Sequence, residues 1–280
     1  MNHSLKPGRT VLYLLLALFV LYYIAPLYVM LSTSFKGLDE IRTGNLLSLP
    51  RAASIDAWQR AWSSACTGTT CEGLQPFFWN SIKMVLPAVA ISTIVGAFNG
   101  YVFAHFKGSE ILFTALLVGC FIPFQVVLLP MASLLGQFGL ANTTTGLVFV
   151  HVVYGTAFTT LFFRNYYVGV PEELIKAARI DGAGFFLILR KVVLPISGPI
   201  FVVCVIWQFT QIWNDFLFGV VFASGEAQPI TVGLVNTSNG VQEHNVNMAA
   251  AIIAAMPTLL VYLVAGRYFV RGLTAGAVKG

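Results

Sequence analysis

The polar side chains that could recognise a ligand concentrate in one short stretch of an otherwise apolar run. The stretch contains Trp207, Gln208, Gln211, Trp213, Asn214 and Asp215. Indole faces stack on the C–H faces of sugar rings, while amides and a carboxylate bond to hydroxyl groups. The composition of this stretch therefore suits carbohydrate recognition. The alternative is structural: Trp213 and Asp215 would form a belt at the membrane interface, and Asn214 would cap a bend.

Isolated polar residues elsewhere in the apolar runs are weaker candidates for a binding site. Asn80 and Asn99 could line a polar pathway, although hydrogen bonding between helices is the commoner use of such amides. His105, His151 and His244 are scattered along the chain. We interpret each of these histidines as an interfacial or core residue rather than a ligand.

The chain has none of the common catalytic or metal-binding signatures. It contains no G-x-x-x-x-G-K-[ST] phosphate loop, no H-E-x-x-H, no G-x-S-x-G and no carboxylate pair in the apolar runs. We therefore expect no catalytic residue, no metal site and no cofactor bound by this chain. The sequence does not predict an enzyme.

The four cysteines form two groups. Cys66 and Cys71 lie in the polar segment CTGTTC, where a disulfide would form if the segment faces an oxidising space. A metal site there would need further ligands, and no histidine is adjacent. Cys120 and Cys204 lie in apolar runs and are expected to pack as small hydrophobic residues.

A second stretch, PEELIKAARIDGAGFFLILRKVVLP from Pro171 to Pro195, is the longest charged break between two apolar runs on the basic side of the protein. Pro171 suits the first helical position, and the spacing predicts two short helices around a hinge at Gly182 and Gly184. We predict that Leu174, Ala177, Ala178 and Asp181 share one helical face. Small residues would let another surface approach the backbone closely. The alternative is an amphipathic loop on the lipid headgroups, with Arg190 and Lys191 as topology signals.

The composition places these stretches in a membrane protein. Of 280 residues, 57% are hydrophobic and 10% charged, with a mean hydropathy of +0.80, whereas soluble domains carry about 25% charged residues. At about 20 residues per span, the pattern predicts an all-α polytopic protein. Its six spans are expected at residues 10–32, 80–106, 111–135, 144–163, 196–222 and 246–268. The first run is too long for a signal-peptide core, so it is predicted to be retained.

Lysine and arginine in the loops predict the orientation. One side of the predicted topology holds 11 of the 16 basic residues: Lys6, Arg9, Lys107, Arg164, Lys176, Arg179, Arg190, Lys191, Arg267, Arg271 and Lys279. The others lie mostly in the long segment 33–79, where charge influences topology less. Since basic loops stay inside, both termini and the loop 167–195 are predicted to be cytoplasmic.

The order A-A-x-x-D-G-A, then eight residues, then V-x-L-P resembles the EAA loop of ABC-importer permeases, the element that docks into the ATPase subunit. The matching residues are Ala177, Ala178, Asp181, Gly182, Ala183, Val192, Leu194 and Pro195. One departure is Lys176, which stands where the motif has glutamate. Glu173, one turn earlier, is a possible substitute for that acid.

Other segments resemble the carbohydrate-importer branch of the same family. Trp213-Asn214-Asp215-Phe216 looks like a W-N-[DE]-F sequence of carbohydrate permeases, and GLTAGAVKG in the tail 270–280 is similar to the tail of MalG-like permeases. That likeness implies a second ATPase contact through Lys279. The loop 223–245 is similar in position to one that faces the binding protein, and CTGTTCEG looks like the glucose and mannose type.

The resemblance implies a type I permease fold and one subunit of an ATP-driven carbohydrate importer, with glucose or mannose as substrate. The implied partners are a homologous second permease, a dimer of ATP-binding subunits that use ATP and Mg²⁺, an extracytoplasmic sugar-binding protein and membrane lipid, with no nucleic acid. The implied location is the bacterial inner membrane. The residues implied to contact the ATPase are Glu173, Lys176, Ala177, Ala178, Asp181, Gly182, Ala183, Leu194, Pro195 and Lys279.

Two other classes of protein remain open on the sequence alone. A secondary transporter driven by an ion gradient would need ionisable groups at mid-membrane, usually in inverted repeats. Asp215 is the one acid well inside a predicted span, and the two halves show no repeat. A membrane scaffold or sensor without transport would associate with no ATPase.

Overall fold

The chain folds into α-helices, as the sequence predicts. The computed structural model describes residues 7–67, 70–106, 108–240 and 243–277, and the one strand-like pairing within them is an isolated bridge between Thr67 and Thr70. The helices of the first half are α1 Pro7–Ser34, α2 Leu38–Thr43, α3 Asp56–Ser63, α4 Gln75–His105, α5 Glu110–Cys120, α6 Phe124–Gln137 and α7 Thr144–Val168. Those of the second half are α8 Glu172–Ile180, α9 Phe185–Ile188, α10 Leu194–Ile196, α11 Gly198–Trp213, α12 Leu217–Phe222, α13 Ile230–Gly240 and α14 His244–Ala277.

The long apolar helices account for the predicted spans. Within the described residues, four helices are long and apolar enough to cross a membrane, namely α1, α4, α7 and the first part of α14. Two bent pairs also qualify, α5 with α6 and residues Phe185–Ile196 with α11, which gives six spans if each pair is one span. Most side chains of α1 are exposed in this chain, as expected where a helix faces lipid or another subunit.

Two predicted spans are interrupted in the structure. The run 111–135 bends by 99° between α5 and α6, just before Pro123, which has no N–H and disfavours helix in the residue preceding it. The run 196–222 ends its first helix at Trp213. Asp215 then accepts hydrogen bonds from the N–H groups of Phe218 (3.4 Å) and Gly219 (3.3 Å) and so caps α12. The predicted loop 223–245 contains the helix α13.

The chain divides into two compact units, Met1–Gln75 with Leu234–Ala255, and Pro76–Gly233 with Met256–Gly280. In the first unit, the buried core consists of Ala57, Ala61, Ala65, Leu74, Val246, Ala249 and Ala250. Lys36 is buried there, and its ammonium donates to the carbonyl oxygens of Asn45 (3.2 Å) and Leu46. These bonds compensate for the burial of its charge.

A paired arginine and glutamate make the stability of the first unit depend on pH. Arg60 donates two hydrogen bonds to Glu243, at 2.6 and 2.5 Å, and they hold the pKa of Glu243 below its usual value. Stability from a lowered carboxyl pKa is complete above the unfolded-state value and is lost as the pH falls. We expect Glu243→Gln to cost about 1 kcal/mol at pH 7, since both side chains are partly exposed.

Thermal unfolding of wild-type protein and Glu243→Gln at pH 7 and at pH 3.5 would test this expectation. The gap in unfolding temperature between the two proteins should shrink at the lower pH, because stability from a lowered carboxyl pKa is lost progressively below the unfolded-state value of 4.5. A gap of the same size at both pH values would contradict the assigned role of the pair.

The structure joins Cys66 and Cys71 by a disulfide, with their Cα atoms 3.8 Å apart. We expect alkylating reagents to label neither cysteine in intact cells until a reductant is added. Closing so short a loop contributes about 2 kcal/mol in the chain-entropy picture, so Cys66→Ser with Cys71→Ser should lower the stability by that order. Two thiols that react without reductant would contradict the bond.

Two helices of the second unit approach unusually closely. Gly96 and Gly100 of α4 lie against Thr159 and Phe163 of α7, and a Cβ built at Gly100 would lie 2.6 Å from Cβ of Phe163. Small residues four apart let helix backbones come together in membranes. The Thr159 hydroxyl donates to the Ser92 carbonyl oxygen at 2.7 Å across this contact. The α4–α7 pair therefore supports both the loop 171–195 and the polar stretch around Gln208.

Candidate functional site: a docking loop and an aromatic cavity

The loop 171–195 has the two-helix form predicted from its sequence. Pro171 stands just before α8 rather than inside it. The reversal after α8 depends on Gly182, whose φ of +82° is strained for residues that carry a Cβ. Gly184 has an ordinary extended backbone, with φ −76°. The helix that follows runs through Phe185–Ile188, a π-helical turn Leu189–Val193 and Leu194–Ile196.

The inner face of the loop is anchored in a hydrophobic core. The buried members of this core are Ala97, Tyr101, Phe163, Tyr167, Ile175, Ile188, Leu189, Val193 and Cys204. Phe185 adds a ring contact with Tyr101, at 4.7 Å between ring centroids. Burial of four aliphatic side chains, at about 1.5–3 kcal/mol each, holds the loop firmly against α4 and α7. A displacement of the loop would therefore be transmitted to these spans.

The outer face of the loop is exposed and combines small residues with large apolar side chains, among them Ile180 and Phe186. Leu174, Ala177 and Asp181 point outwards, whereas Ala178 is half-buried, so the predicted common face of four residues is divided. Among the other residues implied to contact an ATPase, Glu173, Gly182 and Pro195 are exposed. Ala183 and Leu194 are half-buried. Lys279 lies outside the described residues.

Lys176, the departure from the motif, is held by its own helix. Its ammonium lies 3.0 Å from the Glu172 carboxylate, four residues earlier, and both side chains are largely exposed. An exposed pair of this kind contributes about 0.5 kcal/mol or less, so it leaves Lys176 free to exchange partners. Glu173, the possible substitute for the motif acid, is also exposed.

The second unit also contains an aromatic cavity of about 290 Å³. Two helices, α7 and α11, supply most of its wall, and α6, α12 and the connection between α11 and α12 supply one residue each. The lining residues are Phe124, His151, Tyr154, Gly155, Phe158, Trp207, Gln208, Gln211, Ile212, Asp215 and Phe218. An apolar wall with a few convergent polar groups is the usual form of a small-molecule site.

The cavity brings together four residues of the predicted polar stretch: Trp207, Gln208, Gln211 and Asp215. Gln208 is buried, and its Nε2 donates to the Ser92 hydroxyl at 2.7 Å. The half-buried Asp215 fixes the start of α12, and its carbonyl oxygen accepts from the Thr231 hydroxyl at 2.6 Å. These bonds fix the positions of Gln208 and Asp215 in the wall.

The remaining predicted pathway residues lie elsewhere. Trp213 is completely buried and stacks on Phe209, at 5.6 Å between ring centroids, so it is not part of an exposed belt. The Asn214 amide donates to the Thr210 carbonyl oxygen at 2.9 Å, as the capping alternative predicts. Asn80 donates to the carbonyl oxygens of Glu226 and Gln228. Asn99 is half-buried and does not line the cavity.

Sequence reasoning missed the contribution of α7 to this cavity. His151, Tyr154 and Phe158 are three, four and seven residues apart, which places them on one helical face. That spacing was the available signal. His151 is buried, as a core histidine would be, but it lines the cavity as well. In the described part of the chain, no group of three or more His, Cys, Asp or Glu side chains could hold a metal ion.

Comparison with known proteins gives one family for most of the chain. The family described as "Binding-protein-dependent transport system inner membrane component" matches residues 79–275. A probable ABC transporter permease protein of Pyrococcus horikoshii is 37% identical over 278 residues, 99% of each chain. The xylose/arabinose import permease protein of Haloferax volcanii is 31% identical over 96% of this chain and 93% of its own. The glucose import system permease protein of Saccharolobus solfataricus is 29% identical over 96% and 95%.

A solved structure has the same fold. One chain in the crystal structure of a bacterial ABC transporter involved in the import of the acidic polysaccharide alginate superposes with a TM-score of 0.80. The two chains are 21% identical, and the match covers 96% of this chain and 99% of the other. The prediction of an all-α importer-permease fold is confirmed.

Proposed function

Because the chain belongs to the family of inner-membrane components of binding-protein-dependent transport systems, we propose that it is one permease subunit of an ATP-driven carbohydrate importer. The observation that carries this proposal is the loop 171–195. Its inner face is packed against the spans through Ile175, Ile188 and Val193. Its outer face leaves the small residues Ala177 and Gly182 exposed, together with the apolar side chains of Ile180 and Phe186. A rigid connection of this kind transmits force between a motor outside the membrane and the helices inside it.

The proposed mechanism requires partners that hydrolyse ATP. The chain contains no phosphate loop of its own, so ATP and Mg²⁺ would be used by two separate ATPase subunits. One ATPase would hold the loop of this chain, and the other would hold the loop of a homologous second permease. Coupling then requires the loop to bind differently in the two states of the ATPase dimer. The residues proposed for this contact are those implied by the family motif, together with Lys279 in the tail.

A carbohydrate substrate is favoured by the cavity and by the relatives. The aromatic rings suit the C–H face of a sugar, and Gln211 and Asp215 beside them suit its hydroxyl groups. Several similar proteins are named for sugars, among them xylose, arabinose and glucose. We propose a monosaccharide, with glucose and mannose as the first candidates. A sugar-binding protein outside the membrane would deliver it, and the distribution of Lys and Arg favours cytoplasmic termini.

A secondary transporter driven by an ion gradient is the alternative. One observation favours it: His151 Nε2 lies 3.7 Å from Asp215 Oδ2 inside the second unit, and ionisable groups within spans often serve ion pathways. In an ATP-driven importer, uptake stops when the ATPase is inactivated and persists when the proton gradient is collapsed. The opposite pattern would support the alternative.

Co-purification from the native membrane tests the proposal. The importer hypothesis predicts that the tagged chain carries with it a second permease and an ATP-hydrolysing subunit. In proteoliposomes, the sugar-loaded binding protein should stimulate ATP hydrolysis. Glucose, mannose, xylose and arabinose, tested in turn, would identify the substrate. A chain that purifies without any ATPase would contradict the proposal and favour a scaffold.

A further inference from the structure

Two buried polar atoms on the wall of the aromatic cavity have no partner. His151 is 5% exposed, and its Nε2 forms no hydrogen bond with any residue that the structure describes. The Tyr154 hydroxyl, one turn further along α7, is also buried without a partner in that part of the chain. The 3.7 Å separation between His151 Nε2 and Asp215 Oδ2 is too long for a hydrogen bond.

Unpaired buried polar atoms are rare because each loses its hydration without compensation. The side chains that carry the two atoms lie on the same helical face and line the same cavity. A ligand that enters the cavity with its own hydroxyl groups could satisfy both, since imidazole and phenol each donate or accept. The arrangement therefore suits a ligand that carries hydroxyl groups.

The rest of the wall narrows the choice of ligand. The ring centroids of Phe158 and Trp207 lie 4.9 Å apart, and both rings are apolar parts of the wall. Asp215 contributes a carboxylate that would repel an anion. A cation would find one carboxylate and one imidazole, fewer ligands than a metal site needs. A purely apolar guest would leave both unpaired atoms unsatisfied. A neutral ring with hydroxyls on its rim and C–H groups on its face fits all of these groups.

We propose that the aromatic cavity is a specificity subsite for a single carbohydrate ring, in which His151 and Tyr154 recognise its hydroxyl groups. The inference rests on the proposed function and deepens it. The volume of about 290 Å³ lies at the lower end of ligand cavities, so the subsite holds one ring rather than a chain of them. Phe158 and Trp207 provide the stacking surface for that ring.

Uptake of deoxy sugars by the complete complex tests the inference. The reconstituted complex with its binding protein is first given glucose, mannose, xylose and arabinose. The transported sugar is then compared with its monodeoxy derivatives in wild type, Tyr154→Phe and His151→Leu. Tyr262→Phe, which makes the same change on an exposed face of α14, is the matched control. The binding protein is the same in every arm, so differences between variants arise in the permease.

We expect Tyr154→Phe and His151→Leu each to lower uptake of the parent sugar about tenfold, the scale of one hydrogen bond. Each variant should also lose the wild-type preference for the parent sugar over one particular deoxy derivative. Tyr262→Phe should change neither value. Loss of that preference is a readout that a purely structural role would not move.

Two outcomes would overturn the inference, and they are distinguishable. If wild-type complex transports sugar and both variants keep its rate and preference, the subsite is absent while the proposed function stands. If wild-type complex hydrolyses no ATP and moves no sugar, the proposed function fails and this inference fails with it. Binding-protein-stimulated ATP hydrolysis, measured in the same vesicles, confirms that each variant is assembled.

Discussion

Replacement of Gly182 by valine should abolish most of the association between this chain and its ATPase. The residue has φ +82° and no heavy atom within 4 Å of a built Cβ, so backbone strain, not crowding, penalises the substitution. A β-branched residue in this region costs about 2 kcal/mol. The loop relieves the strain by leaving its docking conformation. Because that conformation must be restored on binding, apparent affinity should fall roughly thirtyfold.

Gly182→Asn is the matched control, since asparagine is similar in size to valine and tolerates a positive φ. It should retain most of the ATPase in co-purification and most of the sugar uptake, whereas Gly182→Val should lose both while still inserting in the membrane. Equal losses in the two variants would mean that the ATPase senses side-chain bulk at this position. The conformational account of the hinge would then be wrong.

The second large effect is expected where α4 and α7 touch. A Cβ at Gly100 would lie 2.6 Å from Cβ of Phe163 and 2.7 Å from the backbone nitrogen of Arg164. A larger side chain must therefore push the helices apart. Overpacking of this kind costs about 3 kcal/mol or more. We expect Gly100→Leu to lower the unfolding temperature by about 6 °C or more and to reduce the yield of monodisperse protein.

Gly119→Leu in α5 makes the same change where a built Cβ meets no heavy atom within 4 Å. It should leave stability unchanged or raise it slightly, because leucine is the better helix former. Both proteins would be compared by thermal unfolding in the same detergent. If Gly100→Leu proved as stable as Gly119→Leu, the two helices would not approach as closely as the structure places them.

The helices and the loop were predictable because their signals are local. Apolar runs of span length mark α1, α4, α7 and α14 directly. The reversal after α8 follows from Gly182, although the neighbouring Gly184 carries the same sequence signal and has an ordinary backbone. The break after Trp213 had a local signal, since Asp215 is a strong capping residue, but apolar residues continue on both sides of the polar stretch and predict one span.

The cavity was predictable only in part because its wall comes from several helices. One stretch contains Gln208, Gln211 and Asp215, which line the cavity. Trp213 belongs to the same stretch, but packing with Phe209 turns it away from the cavity. The α7 contribution depends on which face of that helix packs against α11. A periodic pattern shows which residues share a face of α7, but it does not show which helix that face contacts. Long-range contacts of this kind are not recorded in the spacing of residues along one helix.

Photo-crosslinking from Lys176 tests most directly whether the loop meets a motor. This side chain is long and largely exposed, so a photoreactive residue of similar length should not disturb the helix that carries it. In membranes that contain the complete complex, we predict an adduct with an ATP-hydrolysing subunit whose yield changes when ATP is consumed. Adducts with lipid alone, at every stage of turnover, would contradict the account.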